Sequence, residues 1–252
     1  MNSAEGQRIQ VRPAVQCNHS PSKSCGDCRL NTICLPIALE ADEVARLEDI
    51  VQRGRPVEKG HQIYHQDQAF SAVYAVRLGC FKTIRTTADG REQVTGFYFP
   101  GEIFGMDGIA QSRHTNTAIA LETGAICEIP FDRLQDLSMK ISSLQKHFFQ
   151  LMSSEITAEQ ELITLLSKNS AEERMAALFL SISTRFAQRN QSSMRFRLPM
   201  SRGDISNYLG LTVETVSRIL SRMQKAEVIR VDNKEVEILD IERLRGLAMV
   251  DA

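Results

Sequence analysis

Three cysteines lie close together near the start of the chain, with the spacing Cys25-x2-Cys28-x5-Cys34. Thiolates this near to one another can bind one metal centre, and both a tetrahedral zinc ion and an iron–sulfur cluster accept such ligands. The five-residue gap is wide for a zinc knuckle and favours a cluster slightly, while zinc and unmetallated thiols remain open interpretations. A fourth ligand must come from another segment. The candidates are Cys17, Cys80 and Cys127, followed by His19.

A second stretch with chemically useful side chains runs from Ser201 to Gln224 and predicts two helices joined by a tight turn. Gly210 ends the first helix, because glycine adopts the left-handed C-cap conformation without steric cost, and Thr212 caps the second helix. The second helix has an apolar stripe of Val216, Ile219, Leu220 and Met223 and, opposite it, a polar stripe of Glu214, Ser217, Arg218 and Ser221.

The polar stripe carries side-chain types that read base edges in the DNA major groove. Arginine donates two hydrogen bonds to guanine, glutamate accepts from cytosine and serine serves either partner. We therefore predict base contacts from Glu214, Ser217 and Arg218. Residues 195–230 hold seven basic and three acidic side chains, although the whole chain has a net charge of −1. Such a local basic patch is typical of DNA binding. The alternative is an ordinary helical hairpin with a solvated polar face.

Composition narrows the classes of protein further. A chain of 252 residues can form one or two domains with a substantial core. Its first residues lack the apolar segment of a signal peptide, and no run approaches the ~18 apolar residues of a membrane helix. We therefore expect a cytoplasmic protein with no membrane association. Its six cysteines are then reduced, and serve as metal ligands or buried side chains rather than disulfides.

Local patterns predict the elements that position these residues. Residues 1–24 read as a mobile arm, and 39–53 as an amphipathic helix with Val44, Leu47, Ile50 and Val51 inward. Short strands separated by turn residues then predict an antiparallel jelly roll, also called a double-stranded β-helix. The predicted strands are Gln62–His65, Ala72–Val76, Phe81–Thr86, Gln93–Phe99, Thr117–Leu121 and Ala125–Ile129, the last of which carries Cys127.

From Ile141 to Leu166 apolar residues recur every three or four positions, which predicts one helix about 39 Å long. A seam of this length predicts a two-stranded coiled coil between two copies of the chain. The predicted interface residues are Leu144, Phe148, Leu151, Met152, Ile156, Glu159 and Ile163. Two facing copies of Glu159 about 4 to 6 Å apart would repel by about 3 to 4 kcal/mol at most, at an effective dielectric of 20. Dimerisation would then be marginal, unless Glu159 simply points to solvent.

The C-terminal part completes a winged helix-turn-helix. Ser170 and Glu173 form a capping box for a helix that runs through Phe186. Residues 228–231 and 235–239 predict a hairpin, which would be the wing, and Asp240 can cap a last short helix. The predicted fold class is therefore α+β. Its parts are the arm 1–24, a sensory domain with the β-roll at 25–137, a dimerisation helix at 138–167 and a winged helix-turn-helix DNA-binding domain at 168–252.

This order of parts resembles the cyclic-AMP receptor superfamily of bacterial transcription regulators, and within it the oxygen-sensing fumarate and nitrate reductase regulator (FNR) family. The resemblance runs from about Cys25 to the C terminus. Its markers are the three-cysteine cluster followed by Leu35-Pro36, Val-Thr-Gly-Phe at 94–97, Cys-Glu-Ile-Pro-Phe at 127–131 and Leu-Gly-Leu-Thr-Val-Glu-Thr-Val-Ser-Arg at 209–218. The resemblance implies that Cys25, Cys28, Cys34 and Cys127 hold one [4Fe-4S] cluster per subunit.

The resemblance also implies a function. A cluster-loaded homodimer would bind TTGAT-like inverted repeats in double-stranded DNA through Glu214, Ser217 and Arg218, and act with RNA polymerase to activate or repress genes of anaerobic metabolism. Oxygen would degrade the cluster, favour the monomer and release DNA. The family carries an acid, usually Asp, at the position of Glu159. The expected protein is a regulator, not an enzyme, since an iron–sulfur enzyme or electron carrier has no use for a helix-turn-helix. A DNA binder with structural zinc is the remaining alternative.

Three features depart from the resemblance or limit it. Arg29 follows the second cysteine, where relatives usually have a small residue, so the sensitivity to oxygen can differ. Cys80 is an extra thiol, which we interpret as a small buried hydrophobe. Residues 111–118 match poorly the arginine and small residues that hold a cyclic-nucleotide phosphate in the superfamily, so we do not expect a cyclic nucleotide to bind.

Overall fold

The computed structural model describes residues 24–248 and has the predicted α+β fold class, with an antiparallel β-roll, a long helix and a C-terminal helix-turn-helix. Residues 1–23 of the predicted arm, with Cys17 and His19, lie outside the described residues. The helices are α1 (Ala41–Glu48), α2 (Phe131–Lys140), α3 (Ser142–Lys168), α4 (Ala171–Gln188), α5 (Arg202–Tyr208), α6 (Val213–Lys225) and α7 (Ile241–Ala248).

The β-roll consists of two four-stranded antiparallel sheets, with strand orders β1-β8-β3-β6 and β2-β7-β4-β5. All six predicted strands are present within two residues of their predicted ends. Two further strands, β1 and β6, have only two residues each and are too short to show an alternating pattern in sequence. The strands are β1 (Gln52–Arg53), β2 (Gln62–Tyr64), β3 (Ala72–Leu78), β4 (Phe81–Thr86), β5 (Glu92–Tyr98), β6 (Ile103–Phe104), β7 (Thr117–Ala120) and β8 (Ala125–Pro130).

The helix predicted over residues 39–53 is shorter in the structure. It begins after Glu40, which forms a capping box with Glu43, and ends at Glu48. The prediction was wrong at the C-terminal end because Gln52 and Arg53 extend as β1 and pair with Glu128 and Cys127 of β8. Backbone pairing with a distant strand therefore overrides the helical pattern in this stretch.

Helix α3 spans 27 residues, or about 40 Å, close to the predicted range. A separate helix, α2, precedes it and had no counterpart in the sequence prediction. The prediction for Leu144 was also wrong. Its side chain has 0% exposure and packs in this chain's own core with Ile129, Leu134 and Ile141, so it cannot meet a second chain. Phe148 and Leu151 pack partly against the same core.

The C-terminal part has the predicted winged helix-turn-helix organisation. Strands β10 (Ile229–Asp232) and β11 (Glu235–Ile238) form the hairpin, and β9 (Arg195–Arg197) joins its far edge in the order β10-β11-β9. The predicted capping box of Ser170 and Glu173 begins α4. Within residues 24–248, none of the helices combines the length and the apolar character needed to cross a bilayer.

One hydrophobic core joins the β-roll to the C-terminal domain. Phe97 and Phe99 of the roll lie in the same buried cluster as Met175 and Phe179 of α4 and Ile205 of α5. Polar contacts border this cluster. Lys82 Nζ lies 2.6 Å from Asp204 Oδ1, Asn207 Nδ2 donates to the Glu92 carbonyl at 2.7 Å, and Arg185 Nη1 donates to the Phe97 carbonyl at 2.9 Å. The edge of the roll and the first helix of the helix-turn-helix are therefore firmly connected.

Candidate metal centre, dimer helix and DNA interface

Four cysteines from two separate segments line one cavity. Cys25, Cys28 and Cys34 come from the loop that precedes α1, and Cys127 comes from β8, where it lies between Arg53 of β1 and Ala75 of β3. The structure therefore brings together the four cysteines named in the sequence analysis. Apolar side chains form most of the remaining wall: Leu30, Leu35, Pro36, Leu47, Val51, Ala75, Val76 and Ile129.

Short-range hydrogen bonds shape the loop that carries three of these thiols. The Asn31 side chain donates to the Gly26 carbonyl and its backbone N–H donates to the Cys28 carbonyl, both at 2.9 Å. Leu30 is the one buried side chain between residues 24 and 34. Ile33 packs against Gly101 so closely that a Cβ on Gly101 would lie 2.6 Å from the Ile33 side chain. The loop is thus held at a few points around the thiols.

Burial favours the protonated form of three of the four thiols when nothing offsets their charge. It raises the pKa of Cys25 to about 11 and that of Cys34 to about 12, and it also raises the pKa of Cys127. Charge on the neighbouring cysteines acts in the same direction, whereas Arg53 lowers the pKa of Cys25 and Cys127. A bound metal group would have to displace these protons, and would then supply the missing positive charge.

The donor set fits a soft metal group. All four donors are sulfur, and thiolate ligands are typical of iron–sulfur clusters and of zinc. Among the described residues, no group of three or more His, Cys, Asp or Glu side chains is placed so that it could hold a metal ion. Each cysteine of a [4Fe-4S] cluster binds a different iron, so those four sulfurs need not converge on a single point as the ligands of zinc must. The four thiols in an apolar cavity therefore have the donor chemistry of an iron–sulfur site.

Two charged residues beside the thiols escaped the sequence analysis. Arg53 Nη2 donates to Cys25 Sγ at 3.2 Å, and Arg53 Nη1 lies 2.5 Å from Glu48 Oε1. The other Glu48 oxygen accepts from the backbone N–H of Cys25. No sequence signal identifies Arg53, because its place depends on the pairing of β1 with β8.

Cys80 lies elsewhere and does not line the cysteine cavity. Its side chain is 1% exposed and packs in the core shared by the roll and the C-terminal domain. Burial raises the pKa of this thiol well above its usual range. The interpretation of Cys80 as a small buried hydrophobe is confirmed.

A row of large apolar side chains remains exposed on α3. Phe149, Ile156 and Ile163 are 57%, 56% and 66% exposed, and they lie seven positions apart, which is the repeat of a coiled coil. The sequence analysis missed Phe149 because it followed the neighbouring inward stripe through Leu144 and Phe148. Met152, Ile156 and Glu159 also line an open cleft between α3 and the roll. Glu159 itself is exposed.

Another carboxylate of α3 contacts the β-roll. Tyr98 donates its hydroxyl to Glu155 Oε1 at 2.8 Å. Burial raises the pKa of Glu155, and the charge of Glu159 raises it further, against the opposing effect of the Tyr98 hydrogen bond. The middle of α3 is thus tied to the roll by a hydrogen bond.

Helix α6 has the predicted two-sided character. Val216, Ile219, Leu220 and Met223 are at most 5% exposed, while Glu214 and Arg218 are exposed and Ser217 is partly so. Thr212 Oγ1 accepts from the Thr215 N–H at 3.2 Å and caps the helix. The polar face continues along the helix, where Ser217, Arg218, Ser221, Arg222 and Lys225 border one open groove. This surface can present charged and hydroxyl groups to a DNA groove.

The segment where a nucleotide phosphate would be expected is occupied by internal contacts. Asp107 Oδ2 accepts from the backbone N–H groups of Thr115 at 2.7 Å and Asn116 at 3.0 Å, and Asp107 Oδ1 lies 3.2 Å from His114 Nδ1. His114 is buried and stacks on Tyr64 at 3.7 Å. A carboxylate therefore already uses the donors that could hold a phosphate, and its charge would repel one.

Comparisons with known proteins agree with this architecture. Residues 54–140 match the cyclic nucleotide-binding domain family, and residues 173–247 match the Crp-like helix-turn-helix domain family. The chain is 46% identical over 224 residues to the transcriptional activator protein FnrA of Stutzerimonas stutzeri, across 89% of this chain and 92% of that protein. It is 45% identical over 226 residues to the fumarate and nitrate reduction regulatory protein of Vibrio cholerae, across 90% of each chain.

Solved structures show the same fold. FixK2 from Bradyrhizobium japonicum superposes with a TM-score of 0.73 at 26% identity, over 81% of this chain and 100% of that one. A CooA mutant from Carboxydothermus hydrogenoformans superposes with a TM-score of 0.65 at 16% identity, over 79% and 88% of the two chains, and supports the fold alone. These relatives are transcription regulators rather than enzymes. The chain therefore belongs to the Crp/Fnr family of transcription regulators, which has a Crp-like DNA-binding domain.

Proposed function

We propose that the chain is an oxygen-responsive global transcription regulator of anaerobic metabolism. The observation that carries this proposal is that four cysteines, three from a loop and one from β8, line one apolar cavity. The same chain has a helix, α6, whose exposed polar face suits a DNA groove. Two of its relatives are named for fumarate and nitrate reduction or for transcriptional activation, which agrees with the proposal.

In this proposal Cys25, Cys28, Cys34 and Cys127 hold one [4Fe-4S] cluster per subunit. The bound cluster supplies a group that survives without oxygen and is degraded by it. The protein's part is to offer four thiols, to keep most water away with apolar side chains, and to place a cationic donor, Arg53, beside Cys25. Thiol protonation in the apo state means that loading releases protons.

The packing of the cysteine loop supports a route from this site to α3. Cys34, Cys127 and Leu35 contact the same buried cluster as Leu144, Phe148 and Leu151. Ser143 Oγ at the start of α3 also lies 3.3 Å from Glu43 of α1. When the four thiols lose their common ligand, the loop and α1 keep their packing and hydrogen bonds but lose the link between the loop and β8, so the first turns of α3 are less firmly placed.

We propose that α3 then decides between monomer and dimer. The exposed row of Phe149, Ile156 and Ile163 would pack against its copy in a second chain when α3 is firmly placed, with Met152 beside it. Glu159 would oppose that association, because a nearby copy carries the same charge. A weak balance of this kind lets a small change at the base of α3 alter the population of dimer.

The dimer would bind double-stranded DNA with TTGAT-like inverted repeats. Glu214, Ser217 and Arg218 would read base edges, because they lie on the exposed face of α6 and have the donors and acceptors for it. Arg222 and Lys225, further along the same groove, would contact phosphates, which position the helix without reading sequence. We further propose action in the cytoplasm, contact with RNA polymerase, and no use of a cyclic nucleotide.

The test is an anaerobic purification followed by exposure to air. Iron and sulfide assays, an absorption spectrum, sedimentation velocity and a DNA titration are recorded before and after exposure, with a scrambled duplex as the control DNA. We expect about four irons per chain, and loss of colour, dimer and specific DNA binding in air. A colourless protein that contains zinc and binds DNA equally well in air would overturn the oxygen response and leave the DNA-reading domain in place.

A further inference from the structure

Arg53 and Glu48 form an ion pair that holds Cys25 from two sides. The two side chains are 20% and 24% exposed, with 2.5 Å between Arg53 Nη1 and Glu48 Oε1. Arg53 Nη2 donates to the Cys25 sulfur at 3.2 Å, while the second carboxylate oxygen of Glu48 accepts from the Cys25 backbone N–H. Arg53 thus contacts the sulfur, and Glu48 fixes the backbone that carries it and also contacts the Cys25 side chain.

The position of Arg53 also relates it to the cysteine from the other segment. In the pairing of β1 with β8, Arg53 lies directly opposite Cys127. Arg77 of β3 borders the same cavity and adds positive charge near Cys127. Arg53 differs from Arg77 in having a hydrogen bond to a cysteine sulfur and in being paired with a carboxylate, so its charge at the site is partly offset by Glu48.

We propose that Arg53 and Glu48 are positioning residues that set how easily the cluster site is oxidised, acting through Cys25. The inference rests on the proposed function, since it concerns the same four cysteines. The potentials of iron–sulfur sites depend on net charge, on hydrogen bonds to the sulfurs and on exposure to solvent. A guanidinium that donates to a cysteine sulfur favours the more negatively charged state of the site, whereas the nearby carboxylate opposes it.

The direction of the effect follows from the charge that moves. One-electron oxidation of the loaded site by dioxygen, with superoxide as the other product, would remove one unit of negative charge from the site. Arg53 makes this loss harder and slows oxidation. Glu48 weakens the effect of Arg53 and speeds oxidation. The two residues therefore act in opposite directions on the redox step, even though they act together in holding the backbone of Cys25.

Because Arg53 and Glu48 should change the ease of oxidation in opposite directions, their variants can distinguish an effect on the potential from a merely structural role. We would compare wild type with Arg53→Ala, Glu48→Gln and Arg55→Ala, each as full-length protein loaded anaerobically with iron and sulfide. Glu48→Gln removes the charge but keeps an oxygen that can accept from the Cys25 N–H. Arg55 is exposed and two positions along the chain, so its removal is the matched control. The readouts are iron and sulfide per chain, the midpoint potential of oxidation, and the rate of absorbance loss after one fixed dose of oxygen.

We expect Arg53→Ala to have a lower potential and to bleach about tenfold faster than wild type, and Glu48→Gln to have a higher potential and to bleach more slowly. Arg55→Ala should match wild type. The proposal is overturned when both variants at the ion pair bleach faster, when both match Arg55→Ala, or when both fail to load while Arg55→Ala loads. If only Arg53→Ala fails to bind iron and sulfide, the midpoint potential of Glu48→Gln decides: a higher potential than wild type supports the proposal, and a lower or equal one overturns it. Absence of iron and sulfide from wild type and Arg55→Ala contradicts the proposed function instead.

Discussion

Helix α6 and the cysteine loop at 24–34 differ in how much of their structure they supply for themselves. The helix carries its own cap at Thr212 and buries four apolar side chains. The loop buries one side chain, Leu30, and arranges thiols around a cavity in which burial disfavours the charge that a metal group requires. The DNA-binding surface of α6 is therefore formed without a ligand, whereas under the proposed function the cysteine loop would be completed by the group that it binds. If the proposed function holds, loss of the bound group would change the loop without unfolding α6.

The comparison is tested most strongly by removing a proposed ligand. Cys127→Ala should abolish iron binding and lower specific DNA affinity to the non-specific level, by about a thousandfold or more, because three remaining thiols leave one iron without its protein ligand. Cys80→Ala is the control for loss of a cysteine outside the cavity. Iron assay and an anaerobic DNA titration measure both effects. Retention of four irons and specific binding by Cys127→Ala would exclude Cys127 as a ligand.

A substitution on the exposed face of α6 should lower DNA affinity whether or not air or a metal is present. Arg218→Ala should cost about 1 to 3 kcal/mol of specific binding, because a bidentate contact to a base is lost. Lys225→Ala should weaken binding to all sequences more evenly and reduce the salt dependence by about one unit. Titrations with operator and scrambled duplexes at several salt concentrations distinguish the two. Equal losses on both duplexes for Arg218→Ala would make it a phosphate contact.

A third substitution changes α3, the helix between the cysteine site and the DNA-binding domain. Glu159→Ala should strengthen the dimer of cluster-free protein by about 1 kcal/mol, or about fivefold in dissociation constant, since one pair of like charges is removed at a solvated position. Glu161→Ala, an exposed acid elsewhere on α3, is the control. Sedimentation equilibrium in air gives the constants. An unchanged constant for Glu159→Ala would place this side chain away from its copy.

An effect of similar size, which fades at low pH, concerns the ion pair between Lys82 of the roll and Asp204 of α5. Burial raises the pKa of Asp204, but hydrogen bonds from Lys82 and Ser201 outweigh it and the pKa is lowered overall. A lowered carboxyl pKa means that the pair stabilises the fold fully at neutral pH and loses this contribution as the pH falls through that lowered value.

Lys82→Met should therefore reduce the free energy of unfolding by about 1 kcal/mol at pH 7. The difference from wild type should shrink toward about pH 3, when Asp204 is increasingly protonated in both proteins. Urea titrations at several pH values measure it, with Lys59→Met as a control at an exposed lysine. A deficit that stays constant across the pH range would assign the loss to packing of the lysine stem rather than to charge.

Features that depend on neighbours in sequence were predictable, and α6 is the clearest case. Its buried stripe and its cap at Thr212 follow from periodicity and capping within fourteen residues, 212–225. The same rules failed at Leu144, because α3 carries two apolar stripes and periodicity cannot tell which one faces the chain's own core. Phe149 was missed for that reason.

Features that depend on distant pairing were not predictable from local pattern. Residue types and spacing did not decide which of Cys17, Cys80 and Cys127 is the fourth ligand. The resemblance to a known family was needed to choose Cys127. Arg53 lay within a predicted helix, whereas its contact with Cys25 requires β1 to pair with β8. Helix α2 was also missed, because its two buried residues, Leu134 and Leu137, make too short a pattern.

The hydrophobic core shared by the roll and the C-terminal domain ties their unfolding together. Phe97 and Phe99 are covered by α4 and α5, so separating the two parts would expose apolar surface on both. Thermal denaturation of this pair should then be one cooperative transition rather than two. We expect the same surface to limit the exchange of domains between members of the family. A chimera that joins this roll to a foreign reading domain at the end of α3 would fold well only when the facing surfaces of α4 and α5 are transplanted to match.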